Sequence, residues 1–406
     1  MAMHHLSDAM TPTNLRGTPD IGTAMLEDHE RIRFAELRAA RRAKVLAAMA
    51  EQGLDACLFG REANVRYVSG ARRLWTAQSR PFVPTCAVVR DGGAVRMLSF
   101  SASYEGIPEE LHPEQFYPVT WNPANFVAQV KATPGLTAAR RIGVDGMTGL
   151  FHGLIKAELP AASLVPAEPM MRALRRVKFA DEIQCIRTAV AIAESALLEA
   201  ARAVAPGVPE KNLQAIYLQR MCQLGTSQFA QLGTFTPITP AQGLRWISGD
   251  GTLPSGAPIA IAGGALWAGY EGSLARTWWC GAPLPGPAGI AVARHCREAV
   301  ASVIDKSRIG TSGAALAAAF ADSEAGRAGA SFQVASLGLG HEGFFAGGVL
   351  PAAVEARQRI EPEMVFAIRV FLPSSQGGYL AEEMVRTTAT GPELLTTLAH
   401  DTAFDG

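Results

Sequence analysis

The segment that decides the fold is LPSGAPIAIAGGALWAGYEGSLARTWW, residues 253–279. It contains two apolar runs, 257–263 and 272–279, separated by a short stretch with two glycines, Gly264 and Gly269. Short apolar runs bounded by Gly and Pro are typical of buried β-strands. We therefore predict two neighbouring strands in this segment.

Helical patterns lie on both sides of these strands. Residues 172–204 place apolar side chains at helical spacing until Pro206 and Gly207 end the pattern. Further helical patterns and strand pairs follow without strict alternation. This mixture predicts an α+β domain with a curved sheet over residues 170–406.

The first part of the chain has a different organisation. Residues 1–28 are polar and lack a period, which predicts a flexible N-terminal arm. A charged, alanine-rich helix is expected from Asp28 to about Ala50, and Gly53 is its candidate C-cap. Short strands and helical stretches alternate after it, which predicts an α/β domain over residues 29–165.

The balance of charged residues restricts the classes of binding partner. Lys plus Arg and Asp plus Glu both number 37 and the pI is about 7.1, so nucleic acid and acidic membranes are disfavoured as partners. The six cysteines show no metal-binding spacing and predict buried thiols. Neither a signal peptide nor a membrane-spanning run is recognisable, so we expect a cytoplasmic protein that does not contact a membrane.

Several segments resemble one family in the order that the family shows. Residues 178–213, KFADEIQCIRTAVAIAESALLEAARAVAPGVPEKNL, resemble the opening helices of the creatinase and Xaa-Pro peptidase (M24, pita-bread fold) superfamily. Residues 253–279 resemble its two-strand metal segment, and 360–371 and 377–391 resemble its last two strands. Residues 54–70 resemble the creatinase N-terminal domain. The resemblance implies an α/β creatinase-like domain followed by an α+β pita-bread domain.

The same resemblance locates the metal ligands of the family. Metal-bearing members hold two divalent ions with two aspartates, one histidine and two glutamates, and the ions activate a water molecule. The corresponding positions here are Ala262, Ser273, Ala335 (or, with a gap, Ser336), Arg369 and Glu382. Only Glu382 keeps a ligand. Because Arg369 brings a permanent positive charge, the resemblance implies a divergent member without metal or other cofactor.

A further histidine of the family, which is the general base in metal-free creatinase, also has no equivalent. Arg245 stands at its position. Creatinase is therefore a precedent for the loss of metals, but its base does not carry over to this chain.

The resemblance also places charged side chains around the cavity that the metals occupy in the family. Arg369 and Glu382 should face one another on neighbouring strands, either as a buried ion pair that replaces the charge of the metals or as substrate-binding groups. The candidate catalytic residues are Glu382, His341 and Glu383. The candidate substrate-binding residues are Arg245, Arg369, Arg66, Trp75, Glu342, Tyr270 and Glu271. For His341, Glu342, Tyr270 and Glu271, a purely structural role is an open alternative.

Arg66 and Trp75 enter this list through the creatinase branch. There, a loop of the N-terminal domain closes over the pocket of the partner subunit. The resemblance therefore implies a homodimer. An arginine-rich loop that is simply solvated is the alternative.

Three functions are compatible with these residues. The first is a metal-independent hydrolase or lyase of the creatinase kind, which acts on a small polar substrate that bears a carboxylate. The second is a binding module that keeps the fold without activity, and for this an exposed apolar patch is expected. The third is an Xaa-Pro aminopeptidase or dipeptidase, which the missing metal ligands disfavour.

Overall fold

The computed structural model describes residues 32–71, 86–93, 95–99, 116–118, 123–226, 228–348 and 350–405. These residues form two compact units, which divide between Arg175 and Arg176. The predicted arm over residues 1–28 lies outside the described residues.

The first unit is an α/β domain, as the sequence predicts. Its elements in chain order are α1 (Phe34–Glu51), β1 (Ala56–Phe59), α2 (Glu62–Ser69), β2 (Cys86–Val89), β3 (Val95–Ser99), β4 (Phe116–Pro118), α3 (Pro123–Ala132), β5 (Arg141–Val144), α4 (Gly149–Glu158), β6 (Ser163–Pro166) and α5 (Glu168–Arg176). The strands form one mixed sheet in the order β4-β3-β2-β1-β5-β6. Apolar side chains of β1, β2, β5, α3 and α4 form its core.

The second unit combines helices with one antiparallel sheet. Its elements in chain order are α6 (Ala180–Arg202), α7 (Glu210–Gln223), β7 (Phe229–Pro237), β8 (Ala257–Trp267), β9 (Tyr270–Cys280), α8 (Pro287–Lys306), α9 (Gly313–Ala321), α10 (Glu324–Arg327), β10 (Ser331–Gly338), β11 (Gly340–Gly347), α11 (Ala352–Arg357), β12 (Val365–Ser374), β13 (Gly377–Thr388) and β14 (Gly391–Leu394). The two predicted neighbouring strands are confirmed as β8 and β9.

The sheet curls. Its order is β11-β10-β12-β13-β9-β8-β7, yet β9 also approaches β10 and β11, which β12 and β13 separate from it in that order. Helices cover one face: α6 packs on β8 and β9, and α8 packs on β12 and β13. Close packing of α6 requires Gly272, because a Cβ at this position would overlap the backbone of Ala189 and Val190. Residues of alternate parity along each strand point to the other, concave face.

Two further expectations concern cysteines and membranes. Five cysteines are buried, but Cys222 is exposed, so the prediction of buried thiols is wrong at this position. Cys222 lies beside the stripe of α7 that Leu213, Tyr217 and Met221 turn inward. Within the described part of the chain, no helix has the combination of length and hydropathy that a membrane span needs.

Candidate active site

Four of the family's ligand positions lie close together on the concave face. Ala262 of β8 pairs with Ala275 of β9, Ala275 pairs with Glu382 of β13, and Glu382 pairs with Arg369 of β12. Since paired strands are about 4.8 Å apart, these residues form a row across four strands. Ser273 lies two residues from Ala275 and therefore points to the same face.

Arg369 and Glu382 form an ion pair within this row. Nε of Arg369 donates to Oε2 of Glu382, and the glutamate side chain is 2% exposed. The hydroxyl of Ser273 donates to the other carboxylate oxygen, Oε1, at 3.0 Å. The predicted facing of Arg369 and Glu382 is thus confirmed, and a hydroxyl at a lost ligand position supports the carboxylate.

Two further side chains contact the guanidinium of Arg369. Nη2 lies 3.5 Å from Oε1 of Gln231, and Cζ lies 4.6 Å from the ring centroid of Trp246. A guanidinium over an indole face is stabilised by the ring quadrupole. The Arg369 side chain remains 20% exposed, so solvent reaches part of it.

The structure decides which residue occupies the histidine position of the family. On β10, Gln333 pairs with Arg369 and Ala335 pairs with Ala367, so Ala335 shares the concave face. Ser336 instead pairs with Phe366, whose ring belongs to the core beneath α8. Ala335 is therefore the residue at the site, and it offers no ligand atom.

Glu271 and Glu342 add two buried carboxyl groups to the concave face. Burial raises the pKa of Glu271 to about 7, with a further increase from the Glu382 and Glu342 carboxylates and an opposing effect of Arg369. Among the described residues, none donates a hydrogen bond to the Glu271 carboxyl. A buried carboxyl that titrates near neutral pH is suited to proton transfer.

A lysine lies near Glu342. The Nζ atom of Lys178 and Oε1 of Glu342 are each 3.1 Å from the point where a Cβ at Gly338 would stand. Lys178 is 4% exposed and donates to the carbonyl of Arg176 at 2.9 Å. Gly338 therefore leaves the space in which these two opposite charges approach each other.

The raised pKa of Glu271 predicts a pH dependence of stability. Because the folded value of about 7 lies above the ordinary 4.5, folding favours the protonated form, and this stabilisation is lost as pH rises through 7. From pH 5 to pH 8, we expect the unfolding free energy of the wild type to fall by about 2 to 3 kcal/mol relative to that of Glu271→Gln.

Urea denaturation of both proteins at several pH values measures this difference. Glu298→Gln, which removes an exposed carboxylate of α8, is the matched control and should keep the wild-type profile. If the unfolding free energies of the wild type and of Glu271→Gln depend on pH in parallel, Glu271 does not titrate in this range.

Glu383 lies on the opposite face of the sheet from Glu382. It pairs with Arg276 at 2.9 Å, accepts a hydrogen bond from Thr396 and lies 3.4 Å from His400. Burial acts to raise the pKa of Glu383, but the hydrogen bond with His400 and the charge of Arg276 outweigh it and leave the pKa below its usual range. This carboxylate therefore ties the C-terminal segment to the sheet, away from the concave site.

The hydrogen bonds of Tyr270 and His341 do not involve the ion pair. The Tyr270 hydroxyl donates to Oε1 of Glu182 at 2.6 Å, on the face that α6 covers. His341 is exposed on the edge strand β11, where its Nδ1 accepts from the backbone N–H of Gly343 at 3.1 Å.

The remaining predicted residues are placed as follows. Arg245 pairs with the buried carboxylate of Glu210 rather than reaching the Arg369 row. Arg66 is buried in α2 of the first unit, at 5% exposure. Trp75 lies outside the described residues. The structure thus brings Arg369, Glu382, Glu271 and Glu342 together among the residues that the sequence singled out.

The sequence did not single out four side chains that contribute to this site: Ser273 as a hydroxyl donor, Gln231, Trp246 and Lys178. Only Trp246 carried a usable signal, because it directly follows Arg245 and precedes an isoleucine in a polar loop. An aromatic residue exposed in such a loop often marks a binding surface.

The residues at the ligand positions do not fit a pair of divalent ions. Alanine, serine and arginine replace ligands, and the Arg369 guanidinium occupies the side of Glu382 where a cation would bind. Among the described residues, no three His, Cys, Asp or Glu side chains are arranged to hold a metal ion.

An α/β unit followed by a curled antiparallel sheet with helices on one face defines the creatinase and prolidase class of protein, with the pita-bread fold. The chain belongs to metallopeptidase family M24: the profile of this family matches residues 184–389. The profile of the creatinase/prolidase N-terminal domain matches residues 41–177. The predicted superfamily and fold class are confirmed.

Solved structures agree with this fold. The prolidase from Pyrococcus horikoshii OT3 has a TM-score of 0.71 at 19% identity, covering 89% of this chain and 99% of that one. An X-Pro aminopeptidase from Thermotoga maritima MSB8 has 0.71 at 20% identity, covering 88% and 98%. The Xaa-Pro dipeptidase from Bacillus anthracis has 0.70 at 18% identity, covering 89% and 99%. No curated protein sequence matches the chain.

Proposed function

We propose that the protein is a metal-independent hydrolase or lyase of family M24 that acts on a small polar substrate on the concave face of the second unit. The observation that carries this proposal is the ion pair between Arg369 and Glu382. It puts a fixed guanidinium where relatives with metals need a carboxylate ligand, while a proton-transfer group, Glu271, is buried nearby.

In this proposal, the Glu271 carboxyl transfers a proton to or from the substrate. Its carboxyl exists in both protonation states near neutral pH, so it can act as a general base or a general acid. Glu382 holds Arg369 in place, and Ser273 orients the Glu382 carboxylate.

Arg369 is the proposed contact for a substrate carboxylate. Its Nε is used by Glu382, but its Nη1 has no hydrogen-bond partner among the described residues, and the side chain is 20% exposed. A guanidinium edge of this kind can donate to a carboxylate. His341 and Glu383 stay predicted catalytic residues, but their positions give the proposal no support.

The first experiment is elemental analysis of the purified protein before and after incubation with manganese, cobalt and zinc, with an assay of Xaa-Pro dipeptide hydrolysis alongside. We expect neither stoichiometric metal nor hydrolysis, because the positions that should supply ligands carry Ala262, Ser273 and Arg369. Two bound equivalents together with hydrolysis would overturn the proposal in favour of an Xaa-Pro peptidase.

A screen of small carboxylated amides and amidines then tests for activity. Glu271→Gln should lower turnover by a factor of about 100 or more, since it removes the proton-transfer group and keeps the shape. Turnover that survives this substitution would contradict the role of Glu271.

One observation favours the second candidate, a binding module without activity. Four large apolar side chains on β7 and the following loop are exposed: Phe229, Leu232, Trp246 and Ile247, at 44, 48, 45 and 77%. An apolar peptide ligand would suit such a surface. Saturable binding of apolar peptides that Ile247→Ser abolishes, without turnover of any compound in the screen, would support this candidate.

Homodimer formation and a cytoplasmic location stay predictions. The division into an arm over 1–28 and domains over 29–165 and 170–406 stays a proposal as well.

A further inference from the structure

The loop that carries Trp246 is attached to β7 at three of its residues, Arg245, Trp246 and Ser248. The carbonyl of Arg245 accepts from the hydroxyl of Thr236, and the carbonyl of Trp246 accepts from that of Thr234, both at 2.8 Å. The hydroxyl of Ser248 accepts from the backbone N–H of Phe235 at 3.0 Å. Three anchors within four residues leave the backbone around Trp246 little freedom.

A buried carboxylate anchors the same loop from its other side. Glu210, the first residue of α7, is 1% exposed. Its Oε1 accepts from Nη2 of Arg245, and its Oε2 accepts from the backbone N–H of Gly249 at 2.6 Å. Burying a carboxylate is unfavourable unless it is paired and hydrogen-bonded, and both partners of this one belong to the loop.

The anchored loop covers the ion pair. Trp246 places one ring face 4.6 Å from the Arg369 guanidinium carbon, while 45% of the residue stays exposed. The indole thus lies between solvent and the guanidinium, whose side chain is only 20% exposed.

We propose that Trp246 is a specificity-determining residue that limits access to the Arg369–Glu382 pair, and that Glu210 is the positioning residue that holds it there through Arg245 and Gly249. The loop is then a fixed roof rather than a moving lid, and it admits small ligands along the exposed edge of Arg369. This role in specificity rests on the proposed function, because it takes the ion pair as the place where substrate binds.

The reactivity of Arg369 towards phenylglyoxal, a reagent for accessible guanidinium groups, tests this inference without any substrate. The reaction of Arg369 is followed by peptide mass spectrometry and divided by that of Arg294, whose side chain is 62% exposed on α8. We expect Arg369 to react more slowly than Arg294 in the wild type. Trp246→Ala should raise the ratio by about tenfold and Glu210→Gln by about threefold, whereas Trp246→Phe should leave it near the wild-type value.

Arg245→Met is the second variant, since its side chain is 33% exposed and its loss tests the same anchor if Glu210→Gln does not fold. Thermal unfolding of each variant identifies loss of the fold. An unchanged ratio in Trp246→Ala would show that the indole does not limit access. Unchanged ratios in both folded anchor variants would show that Glu210 does not position it. Either result is independent of the metal and hydrolysis assays, so failure of the proposed function is seen separately.

Discussion

Replacement of Arg369 by methionine is expected to lower the free energy of unfolding of the second unit by about 3 kcal/mol. The reason is the environment of Glu382, which is 2% exposed and would lose its only cationic partner in the described structure while keeping the Ser273 hydroxyl. An ionised carboxylate left in that position has neither water nor a counter-charge. Urea denaturation at pH 7.5 measures the change.

Two controls separate the ion pair from simple loss of a side chain. Arg294→Met removes a guanidinium 3.9 Å from Glu298 in an exposed pair and should change stability by less than about 0.5 kcal/mol. The double variant Arg369→Met with Glu382→Leu removes both charges and should recover most of the loss. A double variant as unstable as Arg369→Met would show that the pair itself is not the source of the effect.

Restoration of carboxylates at the lost ligand positions is expected to create a metal site. The triple variant Ala262→Asp, Ser273→Asp, Arg369→Glu would place three new carboxylates beside Glu382 on the concave face, within the row that spans β8, β9, β13 and β12. Four carboxylates at this distance repel one another unless a cation binds between them. We expect the variant to retain about one or more equivalents of manganese after desalting, and the wild type to retain almost none.

Thermal unfolding gives a second readout of the same prediction. A ligand that binds only the folded state raises stability, so millimolar manganese should raise the Tm of the triple variant by several degrees and leave that of the wild type unchanged. The variant Ala262→Asp, Ser273→Asp, which keeps Arg369, is the matched control and should not respond. A response of this control equal to that of the triple variant would mean that Arg369 does not oppose metal binding.

Much of the architecture could be predicted from local sequence. The two strands around residues 257–279 and most of the helix Ala180–Arg202 follow from apolar periodicity and from glycine and proline breaks, but the periodicity over residues 172–204 did not show the break between α5 and α6. The strands within residues 360–371 and 377–391 followed from the family resemblance. The replacement of ligands at Ala262, Ser273 and Arg369 was also visible, because the spacing of the surrounding motifs is preserved. Each of these features depends on residues close together in the chain.

The direction in which side chains point along single strands was harder to predict from the sequence. Glu382 and Glu383 are adjacent and both looked like site residues, yet they point to opposite faces because successive residues of a strand alternate. The choice between Ala335 and Ser336 needed the register of β10 on β12, which depends on pairing between segments about thirty residues apart.

The sequence alone determined the family, the two-unit organisation of α/β and α+β type, and the presence of a guanidinium where a metal ligand belongs. Only the tertiary structure decided that Glu271 shares a buried face with Glu382 and Glu342, and that Trp246 lies over Arg369. The physical reason is that a pKa and a cation–π contact depend on burial and on charges brought from distant strands and loops. Those distances exist only once the sheet has curled.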